Sequence, residues 1–376
     1  MARDGLRPAA RSYLVLYLDL VTMLKSRVAL CAWFCMGIAW ASQAQAQPAT
    51  AAQPQRPMPA AKVAAPEELL QQLAVSAREC PAFPKLASDY RARFSAPMLA
   101  WAEQHLARLD ARKVIYPFSG ADIVTAMNLF ASADHLVLVA DQWPQHGAPA
   151  SILPQQMAKE CQTMSFFARY GYFRTNDLEG KDSVRPRFAR LLAYSIALTE
   201  AQVSRVEYLT LHEDGQVRPA VDAVKPDGLR FSVTRANGRA LTIDYVRTDL
   251  SNNGLKAGGR SHTFMRSQMD GVVLLKSASH LLQKSYFSAL AELILERAPG
   301  VVQDETGLDI EPFRRAFEIR SYGKFHAPHP LWHDSASGQR LIRYLQDQPA
   351  IEPLPFTIGY EKKSGSVLLV GTRNRR

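Results

Sequence analysis

Cysteine is scarce in this chain, with four in 376 residues, and that scarcity excludes a small domain held together by a disulfide framework. Glycine-rich loops are missing as well. In Tyr116-Pro-Phe-Ser-Gly-Ala-Asp122, where a strand is expected to turn into a helix, Gly120 stands alone, so close backbone approach to a pyrophosphate has little support. No internal repeat recurs at a fixed period, which argues against a solenoid or propeller. The basic residues are spread out and lack interleaved aromatics, apart from Arg373, Arg375 and Arg376 at the very end, and this argues against a nucleic-acid partner. The mature chain also lacks an apolar run long enough to span a bilayer.

What is present begins with a secretory leader. Lys25 and Arg27 form a charged n-region, Val28 to Trp40 has h-region length, and Ala44-Gln45-Ala46 offers the small-x-small cleavage pattern. Met23 is a more usual start for such a leader than Met1. Residues 1–46 are expected to leave as a signal peptide, taking Cys31 and Cys35 with them, and the product is expected in the periplasm or secreted. It is expected to be soluble, because Leu30 and Phe34 precede the two leader cysteines where a lipoprotein site needs small residues. Net charge falls from +10 in the full chain to about +7 after cleavage, a mildly basic surface that tolerates the anionic polymers of a cell envelope. Cys80 and Cys161 remain. They are either bridged, closing a loop that would contribute roughly 4 kcal/mol, or two separately buried thiols; nothing in the sequence sets their distance.

Residues 47–66 are rich in Ala, Pro and Gln without apolar periodicity and read as a disordered spacer. The remainder, 67–376, reads as one mixed α/β domain. Val114-Ile115-Tyr116 and Leu136 to Ala140 are apolar strands of the kind covered on both faces in a parallel sheet, with a helix carrying Ile123, Met127 and Phe130 between them. Further helices fit Ile152 to Ala168, Arg187 to Leu198 and Tyr286 to Arg297, and buried strands fit Val272 to Leu275 and Val301-Val302. In the middle, Phe231 and Val233 alternate with polar residues and continue as Leu241, Ile243 and Tyr245 beyond Asn237-Gly238, predicting an antiparallel meander. A C-terminal β-hairpin is expected from Phe356–Tyr360 and Val367–Val370 about a turn at Lys363-Ser364-Gly365. The fold class is thus α/β, a Rossmann-like mixed sheet with flanking helices, a central antiparallel meander and a C-terminal hairpin.

Polar residues gather where the parallel strands end: Ser119 and Asp122, Asp141, Lys276 and Ser277, and then Gln303, Asp304 and Glu305. Ligands of open α/β sheets bind outside the carboxyl ends of the strands, which makes Ser119, Gly120, Asp122, Asp141, Lys276 and Asp304 the candidate ligand-binding residues. Ser119 with Asp122 three residues on is also a capping-box-like helix start, a structural reading in which the Ser119 hydroxyl accepts a backbone N–H. As a hydrolase nucleophile Ser119 lacks the flanking pattern of a nucleophile elbow. His326, His329 and His333 with Asp334 would be a metal set only on a common face, which Pro328 and Pro330 break, so no metal site is expected.

Several segments resemble an uncharacterised family of secreted bacterial α/β proteins: Tyr116-Pro-Phe-Ser-Gly-Ala-Asp122, Phe173-Arg-Thr-Asn-Asp177, Thr248-Asp-Leu-Ser251, Leu275-Lys276, Gln303-Asp304-Glu305-Thr-Gly307, Tyr322-Gly323 and Gly359-Tyr360. Where that family carries a Gly-Leu-Glu-Pro-like run, this chain has Ala140-Asp141-Gln142-Trp143-Pro144. More distantly, the Pro-Phe-Ser-Gly turn, the acid closing the second strand and the terminal hairpin are similar to the S-adenosylmethionine-dependent methyltransferase fold. That resemblance implies Ser119 and Gly120 facing the amino acid part of the cofactor and Asp141 its ribose. Export removes the cofactor supply, so the cofactor stays unknown and the expectation is a methyltransferase-like scaffold whose crevice binds a small molecule. The alternative is a non-catalytic protein that contacts a cell-envelope component; an exported hydrolase is the third reading.

Overall fold

The computed structural model describes residues 80–140, 154–173, 188–220, 226–324, 336–348, 351–360 and 366–374. The chain divides into two compact units, Met1–Pro59 and Ala60–Arg376, and all the described residues belong to the second. The leader and the Ala/Pro/Gln-rich spacer therefore lie outside the described residues.

Ten strands form one mixed sheet: β1 Lys113–Pro117, β2 His135–Ala140, β3 Gln202–Leu211, β4 Val217–Pro219, β5 Gly228–Thr234, β6 Ala240–Arg247, β7 Val272–Leu275, β8 Gly300–Gln303, β9 Phe317–Gly323 and β10 Val367–Arg373. Their order is β4-β3-β5-β6-β2-β1-β7-β8-β10-β9. The five central strands, β6-β2-β1-β7-β8, are parallel. On one flank β3, β4 and β5 run as an antiparallel meander. On the other, β10 is antiparallel to both β8 and β9.

Alternation along the central strands divides the apolar side chains between two cores. Val114, Tyr116, Leu136 and Leu138 face one layer, while Ile115, Val137 and Val139 face the other, as the period of two requires. The first layer is α1 Phe83–Tyr90, α2 Ala96–His105, α3 Ile123–Leu129, α4 Pro154–Tyr170 and α5 Phe188–Ala197. The second is α6 Arg260–Gln268, α7 Ser288–Arg297, α8 Ile310–Ala316 and α9 Ala336–Gln346. Each fully buried large apolar side chain contributes about 1.5–3 kcal/mol, and helices on both faces are what the unbroken apolar run of β2 demands. Between α1 and α2 a π-helical turn spans Arg91–Ser95, and Ala96 N–H reaches back to Arg91. Pro97 follows at once, and because it has no N–H of its own, the widened turn absorbs the missing donor.

The meander follows its turn signals. Gly238 adopts φ 79° between β5 and β6, and Gly215 adopts φ 74° between β3 and β4. The expected C-terminal hairpin is corrected. Phe356–Tyr360 is not a strand, and β10 instead pairs along its length with β9. Pro353 and Pro355 remove ladder donors just ahead of that segment, and the buried run Val367–Val370 needs a neighbour on each side, which β8 and β9 supply. Ile358 is held close to the start of β10 by Ser366, whose hydroxyl accepts from Ile358 N at 3.0 Å.

Cys80 and Cys161 are joined, with Cα atoms 5.9 Å apart across 81 residues of sequence, which ties the entry to α1 onto α4. Closing a loop of that size contributes roughly 4–5 kcal/mol on the chain-entropy argument. A Cys80→Ser/Cys161→Ser variant is expected to lose about that much in urea unfolding; an unchanged midpoint, with the oxidised protein as reference, would show that the bridge constrains little.

Candidate functional site

The chain leaves β1 through Phe118 and Gly120, both left-handed at φ 57° and φ 53°, before α3 begins. Phe118 is strained in that region, since a side chain there costs about 1–3 kcal/mol. Asp122 is the N-cap, and its Oδ1 accepts from Thr125 N at 3.2 Å. Its other oxygen faces across the sheet end. There it accepts from the Tyr116 hydroxyl at 3.2 Å and pairs with the Lys276 ammonium, which follows β7. Lys276 Nζ also donates to the Gly171 carbonyl at 2.6 Å, just beyond α4, and to Thr125 Oγ1 at 3.3 Å. Three N–H groups thus meet three acceptors. Burial and the adjacent Asp122 charge hold the Tyr116 hydroxyl well above the usual phenol range, so it donates to that carboxylate. A pair this deeply buried contributes little net stability, but removing one member leaves an uncompensated charge at a cost of about 3–5 kcal/mol.

Asp304 follows β8 and lies beside this pair. Its Oδ1 accepts from Thr306 N at 2.9 Å and Thr306 Oγ1 at 2.6 Å, and its Oδ2 accepts from Ser277 N at 2.8 Å. Burial pushes its carboxyl above the ordinary carboxylate range, against the pull of those bonds and of the Lys276 charge. Relative exposure is 4% for Asp122, 2% for Lys276, 0% for Asp304 and 4% for Glu305, which places four ionisable groups inside the protein at three strand ends. The Glu305 carboxylate lies against Gly359, where a Cβ would come within 2.8 Å of both oxygens. With φ 81° as well, position 359 requires glycine. Tyr360 follows. Its hydroxyl is pushed up by burial and by Asp304, Tyr172 and Glu305, and its ring meets Tyr172 edge-on with centroids 4.9 Å apart. Ser277 completes the group: it is left-handed at φ 57°, and its buried hydroxyl has no hydrogen-bond partner among the described residues.

Of the residues singled out in the sequence, Asp122, Lys276 and Asp304 are brought together. Ser119 is not part of their network: it is buried, and its hydroxyl donates to the Gly120 carbonyl at 3.2 Å. The capping-box reading is corrected with it, because Asp122 itself caps α3. Asp141 and the His326, His329, His333 and Asp334 cluster lie outside the described residues. Among the described residues no group of three or more His, Cys, Asp or Glu is arranged to hold a metal ion, and no helix is long and apolar enough to cross a membrane. Sequence reasoning missed Tyr116, Thr125, Gly171, Tyr172 and Tyr360 as site components. Gly171 acts through its carbonyl, which carries no sequence signal. It is held in place by α4, since Phe167 stacks on Tyr90 at 5.7 Å and on Phe173 at 4.3 Å.

One component of the pH dependence of stability follows from Asp304. A folded carboxyl raised above its unfolded value contributes stability that is complete below the ordinary carboxylate value and is lost as pH rises from there through the raised folded value. An Asp304→Asn variant, although weakened by loss of an acceptor, is expected to lose that downward slope when unfolding free energy is measured across the window; an unaltered slope would assign it to other groups.

No protein-family model matches the chain, and no curated protein matches it. Among solved structures it is similar to one described as the crystal structure of Thermoplasma acidophilum 1320, with TM-score 0.29 and 8% sequence identity over 78% of this chain and 97% of the other. A likeness of that extent assigns neither a fold family nor an activity, and the mixed α/β sheet is the level at which the chain is placed.

Proposed function

We propose that the protein is exported and binds a small molecule in the crevice at the ends of β1, β7 and β8, on a Rossmann-like scaffold. The observation that carries this reading is the burial of Asp122, Lys276, Asp304 and Glu305 at the carboxyl ends of three neighbouring central strands. Buried ionisable groups cost stability that an apolar core of the same volume would keep, and sites where local rules are broken are where function is expected. The strand order supports the scaffold: from β1 the chain proceeds through β2 to β6 on one side and through β7 to β8 on the other, so the order reverses between β1 and β7, the position at which open α/β sheets take ligands. The Cys80–Cys161 bridge supports an oxidising compartment.

A methyltransferase-like scaffold implies S-adenosylmethionine, and the residues do not fit it. The Lys276 side chain crosses the β1–β7 switch point and takes Asp122, the Ser119 hydroxyl is turned onto Gly120, and Phe118 is buried within the turn. Binding is therefore proposed without that cofactor, toward Asp304, Ser277 and Tyr360. The test is the melting temperature of the purified protein against nucleotides, sugars, peptidoglycan fragments, divalent metals and S-adenosylmethionine. A ligand that binds only the native state at a hundredfold excess over Kd stabilises it by about 2.7 kcal/mol. One class other than S-adenosylmethionine is expected to give a saturable rise, and Asp304→Asn is expected to weaken it about tenfold, or 1.4 kcal/mol; an affinity untouched by that substitution would move the ligand elsewhere.

A further inference from the structure

We infer that Asp122, Thr125 and the Gly171 carbonyl form a binding site for a primary ammonium group, and that the chain fills this site with its own Lys276. The inference rests on the crevice reading and adds what its inner end is built to hold. A primary ammonium has three N–H donors and no acceptor. The three groups around Lys276 Nζ are a carboxylate, a carbonyl oxygen and a hydroxyl. They come from two separate parts of the chain, the start of α3 and the residue just beyond α4, and converge on one point inside the protein. Asp122 is oriented for the task from both sides, with Thr125 N on one oxygen at 3.2 Å and the Tyr116 hydroxyl on the other at 3.2 Å. Thr125 stands one helical turn into α3, so the same backbone hydrogen bond that caps the helix brings its side chain to the site.

A tethered amine acts at a high effective concentration, so a free amine of equal intrinsic affinity does not displace it. The wild-type switch point is thereby closed to ligands that present an amino group there, the amino acid part of S-adenosylmethionine included. The ligand of the crevice is left with Ser277 and Asp304. Truncating Lys276 at Cβ removes three carbons and the nitrogen, which together are n-propylammonium.

The test is Lys276→Ala in the full chain, melted with n-propylammonium chloride, with tetramethylammonium chloride at equal concentration as the control for charge and salt. The variant is expected to melt well below the wild type and to regain about 5 °C or more, saturably, with n-propylammonium. Tetramethylammonium, which has no N–H, is expected to give no specific gain, and the wild type is expected to respond to neither. If Lys276→Ala does not fold alone, its refolding yield with and without n-propylammonium is the readout. Asp122→Asn/Lys276→Met, which removes both charges, is expected to fold and to ignore the amine. A Lys276→Ala protein whose melting or refolding is unchanged by n-propylammonium, or raised equally by tetramethylammonium, overturns the inference. That failure would leave the crevice reading standing, because the latter is judged by the ligand panel and Asp304→Asn.

Discussion

A buried ammonium must satisfy three donors at once, and in this protein Lys276 does so with groups that lie as far as 154 residues away in sequence. That requirement connects three parts of the fold. Asp122 and Thr125 belong to the first strand-to-helix connection, Gly171 ends α4, and Lys276 itself follows β7. Moving any one of them alone leaves a charge or a donor without a partner in a medium that cannot replace it. The two halves of the parallel sheet, which diverge between β1 and β7, are therefore held at their carboxyl ends by chemistry as well as by the ladder between them.

The surroundings of this pair share its character. Phe118 on one side of the switch point and Ser277 on the other both adopt left-handed backbone, an expense that persists only where neighbouring structure over-determines it. The β1–α3 turn is fixed by the Asp122 cap, and Ser277 by its N–H bond to Asp304. Behind α4, the Cys80–Cys161 bridge and the stack of Tyr90, Phe167 and Phe173 hold the helix that presents Gly171. Strained backbone and buried charge thus meet at the carboxyl ends of β1, β7 and β8.

Much of the fold was legible because its elements are local patterns. The unbroken apolar run of Leu136 to Ala140, the helix face of Ile123 and Met127, and the turn at Asn237-Gly238 each lie within a few residues, and each forms as read. The hairpin expected from Phe356–Tyr360 failed on a non-local matter: two apolar runs near a turn do not state which of several strands will pair, and β9 was the better partner for β10. The site shows the same division. Asp122, Lys276 and Asp304, singled out because strand ends in α/β sheets collect ligand groups, meet in the structure, whereas Ser119, singled out by the same rule, is turned onto its own loop.

The sequence by itself determined the class of the fold, the identity of the central strands and which residues end them, since periodicity and burial are properties of short segments. Tertiary structure alone decided the order of the strands, the union of Cys80 with Cys161, and the meeting of Lys276 with Asp122, Thr125 and a backbone carbonyl at Gly171. The physical reason is that these depend on distances between segments far apart in the chain. Such distances are set by how two apolar layers pack on one twisted sheet, and no local pattern encodes them.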